Sequence, residues 1–156
     1  MNTTSPRKLE EHIGYWLRCL SNFVSHTFAA RLGKQGLSVA QWVVLRSLYD
    51  CDGATLNEAA ALVGVDKSTL SRMVGRLVQK RLVRRSGGRD RRSLGLALTA
   101  AGKKLVLQSA RLADENDEAF FHALTARQRD EFLSTIKQLL AANGWNIATR
   151  GRDRME

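Results

Sequence analysis

Apolar residues at Leu9, Ile13, Trp16, Leu17, Leu20, Val24, Phe28 and Leu32 recur every three or four positions until Gly33 to Gly36 interrupts the series. The spacing predicts one long amphipathic helix running from Leu9 into that turn. Ser38 then stands three residues before Gln41, Thr55 before Glu58, and Thr125 before Gln128. Each pair matches a capping box, in which the hydroxyl and the longer side chain satisfy amides left unpaired at a helix start. Behind Ser38, the residues Val43, Val44, Leu45, Leu48 and Tyr49 predict a helix closed by the turn from Asp50 to Gly53. Behind Thr55 a short helix is expected to stop at Gly64.

Asp66 offers an N-cap for the next helix, with Leu70, Met73, Val74 and Leu77 on its apolar side. After Arg81 the apolar period falls from 3.6 to 2. Leu82 to Arg85 and Leu94 to Leu98, joined through the turn Ser86 to Asp90, predict a two-stranded hairpin with a long basic tip. Thr99 begins a helix to about Ala123, and behind Thr125 the residues Phe132, Leu133, Ile136, Leu139 and Leu140 predict the last one. The single proline, Pro6, leaves this helical order unbroken. The expected fold is mainly α with a small β-hairpin wing.

Charge sharpens the picture. Lys and Arg total 25 against 15 acids in 156 residues, a net charge of +10. Between Asp66 and Arg92 lie ten basic residues and two acids, a net +8, so nearly all the excess sits on one helix and the hairpin after it. Helices and β-ribbons are the elements that enter DNA grooves. Ala60 is a small residue four before the Gly64 bend, and Leu70 and Met73 face back into the crossing, which is the spacing of a helix-turn-helix. On the opposite side Ser68, Thr69, Ser71 and Arg72 are hydrogen-bonders suited to base edges and phosphates, and Lys67 and Arg76 of the same helix are expected to join them on DNA. A merely solvated basic helix would explain the charge but not its conjunction with the turn and the hairpin.

The stretch DKSTLSRMVGRLVQKRLVRR followed by GGRDRRSLGLALTAAG resembles the recognition helix and wing of the MarR family of winged helix-turn-helix regulators. The resemblance covers nearly the whole chain. It implies a helix-turn-helix lobe with flanking dimerisation helices: residues 1–36 and 100–145 for dimerisation, 37–99 for DNA, and 146–156 as a charged tail. It also implies that Arg92 enters the minor groove, that Asp90 orients it, and that Arg89 joins the contact; a narrow minor groove favours an inserted guanidinium. Family members commonly hold small aromatic anions, and Trp16, Trp42 and Arg46 lie on elements resembling the walls of that pocket.

Other chemistry finds less support. His12, His26 and His122 lack metal-ligand spacing, and no nucleophile triad, P-loop or dinucleotide motif occurs, so neither a metal, a cofactor nor an enzyme is expected. Cys19 and Cys51 are expected to be reduced thiols. The position matching the family's peroxide-sensing cysteine is Gly14, which makes Cys19 a packing residue. No apolar run approaches the ~20 residues that span a bilayer, and the start MNTTSPRKLEEH lacks a signal-peptide core, so a cytoplasmic protein is expected. The function expected is a ligand-responsive regulator, a repressor binding a pseudo-palindromic duplex as a homodimer and released by an aromatic carboxylate. The alternative is an architectural protein that grips DNA or RNA phosphates without regard to sequence.

Overall fold

The computed structural model describes residues 6–87 and 94–145. Its first helix starts later than the periodicity places it. Leu9–Glu11 form a separate 3₁₀ turn, His12 is extended (φ −99°, ψ 119°), and α1 runs Ile13–Gly33. The cause is local: the Trp16 indole N–H donates to the Glu10 carbonyl at 2.8 Å, taking the acceptor that a continuous helix would offer to residue 14. The Lys8 amide, in turn, donates to the Glu11 carboxylate at 2.9 Å.

Helices α2 (Val39–Asp50), α3 (Leu56–Val63) and, near the end of the chain, α6 (Ala126–Ala142) all start at the expected capping boxes. The Ser38, Thr55 and Thr125 hydroxyls accept from the amides of Gln41, Glu58 and Gln128 at 3.2, 3.2 and 3.3 Å. Those side chains accept from the cap amides at 3.1, 2.7 and 2.9 Å. Between α3 and α4 (Lys67–Gln79), Gly64 adopts φ 76°, a left-handed conformation that costs glycine little, and its amide closes on the Ala60 carbonyl at 2.9 Å.

The hairpin is present as β2 (Val83–Gly87) and β3 (Leu94–Leu98), with Val83 opposite Leu98 and Gly87 opposite Leu94. It has a partner that the pattern did not predict: β1 (Ala54–Thr55) pairs antiparallel with Leu96 and Gly95, giving a three-stranded sheet in the order β1-β3-β2. Two residues are too few to show a period, and the pairing is made across some forty residues of chain. The sheet buries Val83, Leu96 and Leu98 against Leu32, Val44, Leu45 and Leu48 from α1 and α2, and Leu70, Val74 and Leu77 from α4.

Helix α5 (Ala100–Phe120) ties this lobe to α1. At its start Thr99 donates to the Arg81 carbonyl at 2.7 Å and accepts from the Gly102 amide at 3.0 Å. It then runs antiparallel along α1, where Ser109 donates to Gln35 at 2.6 Å, Arg31 lies 3.6 Å from Glu115, and the Phe23 and Phe120 rings stand 5.8 Å apart. It ends three residues before Ala123 because Arg129 and the Leu124 amide take the Phe121 carbonyl, at 3.1 and 3.0 Å. Beyond that turn α6, among the described elements, makes only sparse contacts.

Candidate nucleic-acid interface

One side of α4 is spent on the core, through the fully buried Leu70, Val74 and Leu77. The helical period therefore puts Ser68, Arg72, Gly75 and Gln79, at spacings of four, three and four, on the opposite side. Lys67, Ser68, Arg72 and Arg76 are exposed, and Thr69 and Ser71 are half-buried on the flanks. Ser68, Arg72 and Arg76 thus share the outward side with Thr69 and Ser71 on its flanks, whereas Lys67 stands in the first turn on the stripe of Leu70 and Val74, exposed by its place at the helix end. Arg89, Asp90 and Arg92 lie outside the described residues.

Asp66 organises the leading edge of that surface. Its carboxylate accepts from the Ser68 hydroxyl at 2.6 Å, from the Thr69 hydroxyl at 2.6 Å and from the Thr69 amide at 2.8 Å. Three donors, the Ser68 hydroxyl foremost, hold its proton affinity well below the usual carboxylate range. The Thr69 oxygen in turn accepts from the Arg72 guanidinium at 3.4 Å. Among the described residues, the cations Lys67, Arg72, Arg76, Arg81, Arg84 and Arg85 have no acidic side chain within salt-bridge distance. Lys80 is occupied differently, donating to the Gly36 carbonyl at 2.7 Å. Cations without counter-ions among the described residues form a positive surface that attracts a polyanion.

A family model described as MarR family matches residues 35–93, from just after α1 to the residue before β3. The transcriptional regulator HosA of Escherichia coli is 30% identical over 122 residues, covering 76% of this chain and 88% of HosA. The chain belongs to the MarR family. A solved structure of a probable transcriptional regulator from Pseudomonas aeruginosa superposes with a TM-score of 0.77 at 26% identity, covering 85% of this chain and 99% of that one. A mutant of Escherichia coli MarR complexed with operator DNA reaches the same TM-score, 0.77, at 24% identity, with 86% and 99% covered, and shares the fold.

Within this MarR-family subunit the three aromatic-pocket residues do not converge. Trp16 is 56% exposed, with its N–H spent on Glu10. Trp42 is half-buried with its ring 6.0 Å from Phe28, which lies twelve residues, roughly 18 Å, along α1 from Trp16. Arg46 follows Trp42 by one turn but faces solvent, paired with Asp50 at 2.5 Å and stacked over Tyr49 at 5.7 Å. Cys19 and Cys51 are half-buried free thiols, and no described helix is long and apolar enough to cross a membrane.

Gly75 is a further residue of this surface that neither charge nor apolar spacing marks. A methyl group added there would meet nothing within 4 Å, so no packing inside the subunit requires a glycine. Its signal was available: a glycine in mid-helix, on the polar side, between two arginines.

Proposed function

We propose that this protein is a transcriptional repressor that binds a pseudo-palindromic duplex operator as a homodimer and leaves it when a small aromatic carboxylate binds. The observation that carries the DNA reading is the outward side of α4, where Ser68, Arg72 and Arg76 stand about the open backbone of Gly75 and the two arginines have no acidic partner among the described residues. Short hydrogen-bonders beside a forked cation suit the major groove, where Arg pairs bidentately with guanine. Arg84 and Arg85, exposed on β2, extend the positive surface towards the wing tip, where Arg92 is assigned to the minor groove, Asp90 to orienting it and Arg89 to a further DNA contact. Operator DNA bound by MarR, a protein of this fold, is consistent with that placement.

The homodimer is supported by apolar surface that one subunit leaves uncovered. Leu9, Ile13, Trp16, Leu17 and Phe23 are exposed near the start, and Leu133, Leu139 and Leu140 near the end. Phe121, Leu124, Phe132 and Ile136 line a groove of about 320 Å³ between α5 and α6, a seat for a partner's apolar helix. Residues 37–99 then form the DNA lobe, and residues 1–36 and 100–145 the dimerisation region. The effector releases DNA by preferring a dimer whose recognition helices are wrongly spaced, because a ligand indifferent to the two states shifts nothing.

The test is a footprint on the duplex flanking the protein's own gene, with affinities for that site and a random duplex measured at one salt concentration. Arg72→Ala is expected to weaken the specific complex by ~1 to 3 kcal/mol and the random one much less. Equal affinities of the wild type for both duplexes would instead make it an architectural protein.

A further inference from the structure

Helix α4 ends in a turn that its own hydrogen bonds define. The Arg81 amide donates to the Val78 carbonyl at 2.9 Å, and the Leu82 amide reaches back to the Leu77 carbonyl at 3.0 Å. This pair of bonds is a Schellman cap, which needs a left-handed residue at the first donor, most often glycine. Here an arginine holds that place, with Arg81 at φ 56°. Among the described residues every other positive φ belongs to a glycine: Gly36, Gly53, Gly64 and Gly144. From α5 the Thr99 hydroxyl donates to the Arg81 carbonyl at 2.7 Å, and the Thr99 amide to the Leu82 carbonyl at 3.0 Å. The surroundings therefore impose the conformation, and a side chain with a Cβ raises the energy of the fold where glycine would not. No polar contact within the subunit offsets that cost. Arg81 is exposed, and among the described residues its guanidinium has neither an acidic partner nor a hydrogen-bond acceptor.

We infer that Arg81 binds a DNA phosphate, and that it occupies a glycine's place at the corner between α4 and β2 in order to hold the strand that divides the two grooves. Its role rests on the DNA reading of α4 and the wing; its strain does not. With Ser68 and Arg72 set against base edges in the major groove and the wing tip assigned to the minor groove, the chain joining them passes over the sugar–phosphate backbone that separates the grooves. Arg81 stands at the start of that connection, two residues beyond the end of α4. The outward side of α4 runs eleven residues, roughly 16 Å, from Ser68 to Gln79, against a groove about 12 Å wide. Its last turn therefore reaches the rim, where the phosphates stand. A backbone pinned from both α4 and α5 also gives the guanidinium a fixed root, which lowers the entropy lost when a long side chain is ordered on a ligand. Contacts to phosphate carry no sequence information, so Arg81 strengthens binding and fixes register without choosing the site.

Arg81→Gly moves stability and affinity in opposite directions, which a merely structural residue would not do. The experiment combines thermal melts of the full-length protein with a salt series on two duplexes, the footprinted operator and a random sequence. Arg81→Gly is expected to melt about 2 to 4 °C above the wild type, because glycine is unstrained at φ 56°. It should bind both duplexes roughly tenfold more weakly, and the slope of log affinity against log salt should fall by about 1 for each subunit bound. Arg81→Asn, uncharged and at ease in the left-handed region, should lose affinity in the same way, whereas Arg81→Lys should keep the wild-type slope. Wild-type affinity and slope in Arg81→Gly overturn the proposal. A lower melting temperature in Arg81→Gly overturns it too, because the guanidinium would then serve the negative end of the α4 dipole. So does a loss confined to the operator, which would mark a base contact. Wild-type protein that binds neither duplex removes the DNA reading itself, whereas wild-type binding that Arg81→Gly leaves untouched removes only Arg81 from it.

Discussion

Asp66 caps α4 at the leading edge of the surface proposed to meet DNA. By capping α4 and drawing the Ser68 and Thr69 hydroxyls onto one carboxylate, it sets where those hydroxyls stand, and through Thr69 it steadies Arg72. Because its folded value lies below its ordinary 3.8, the charged form is the one the fold favours. Its contribution to stability is therefore whole above that ordinary value and is lost as the pH falls through the depressed folded one. Asp66→Asn is expected to melt below the wild type near neutral pH, with the gap closing as the pH drops below 3.8. Thermal melts across that range check it; a gap independent of pH would show that the charge is irrelevant. Operator affinity should fall as well, since the hydroxyls lose their fixed orientation.

Two glycines decide matters at the scale of elements. A Cβ on Gly102 would stand 2.1 Å from the Leu82 carbonyl oxygen, a backbone atom that cannot swing aside. Gly102→Ala must therefore push α5 off the foot of the wing, at a cost of ~1 to 3 kcal/mol in denaturant unfolding. Gly75→Ala meets no such obstacle and removes backbone entropy from a helix, so it should raise stability by roughly 0.5 to 1 kcal/mol. If α4 lies against DNA at this point, the same methyl weakens operator binding; stability up with affinity unchanged would place the duplex elsewhere. The helices were readable because caps and periodicity are local: Ser38, Thr55, Asp66, Thr99 and Thr125 each mark a start within four residues. What escaped in the sheet was non-local. Strand β1 is defined by Leu96 and Gly95, some forty residues further on; the break before α1, though local, escaped as well, because it is set by an indole hydrogen bond that apolar spacing does not register.

At the scale of the whole molecule, α1 and α6 present apolar side chains that the described residues leave exposed. Leu133 and Leu140 are seven residues apart on one stripe of α6, 49% and 38% exposed, and bury little within the subunit. Glutamates there should leave the monomer's fold intact while placing charge in the face assigned to the partner. Two recognition helices on one DNA face stand about 34 to 36 Å apart or a multiple of it, and a monomer can fill only one half-site. The Leu133→Glu, Leu140→Glu double variant is therefore expected to sediment as a monomer at micromolar concentration and to keep its helical circular dichroism. Its operator affinity should fall at least a hundredfold. The dependence of log affinity on log salt should also fall to about half its wild-type slope, because half the phosphate contacts are gone. Sedimentation and a salt series on the same samples separate the outcomes: a folded monomer with the full wild-type slope would mean that one subunit makes every DNA contact by itself, and the two-fold arrangement would have to be abandoned.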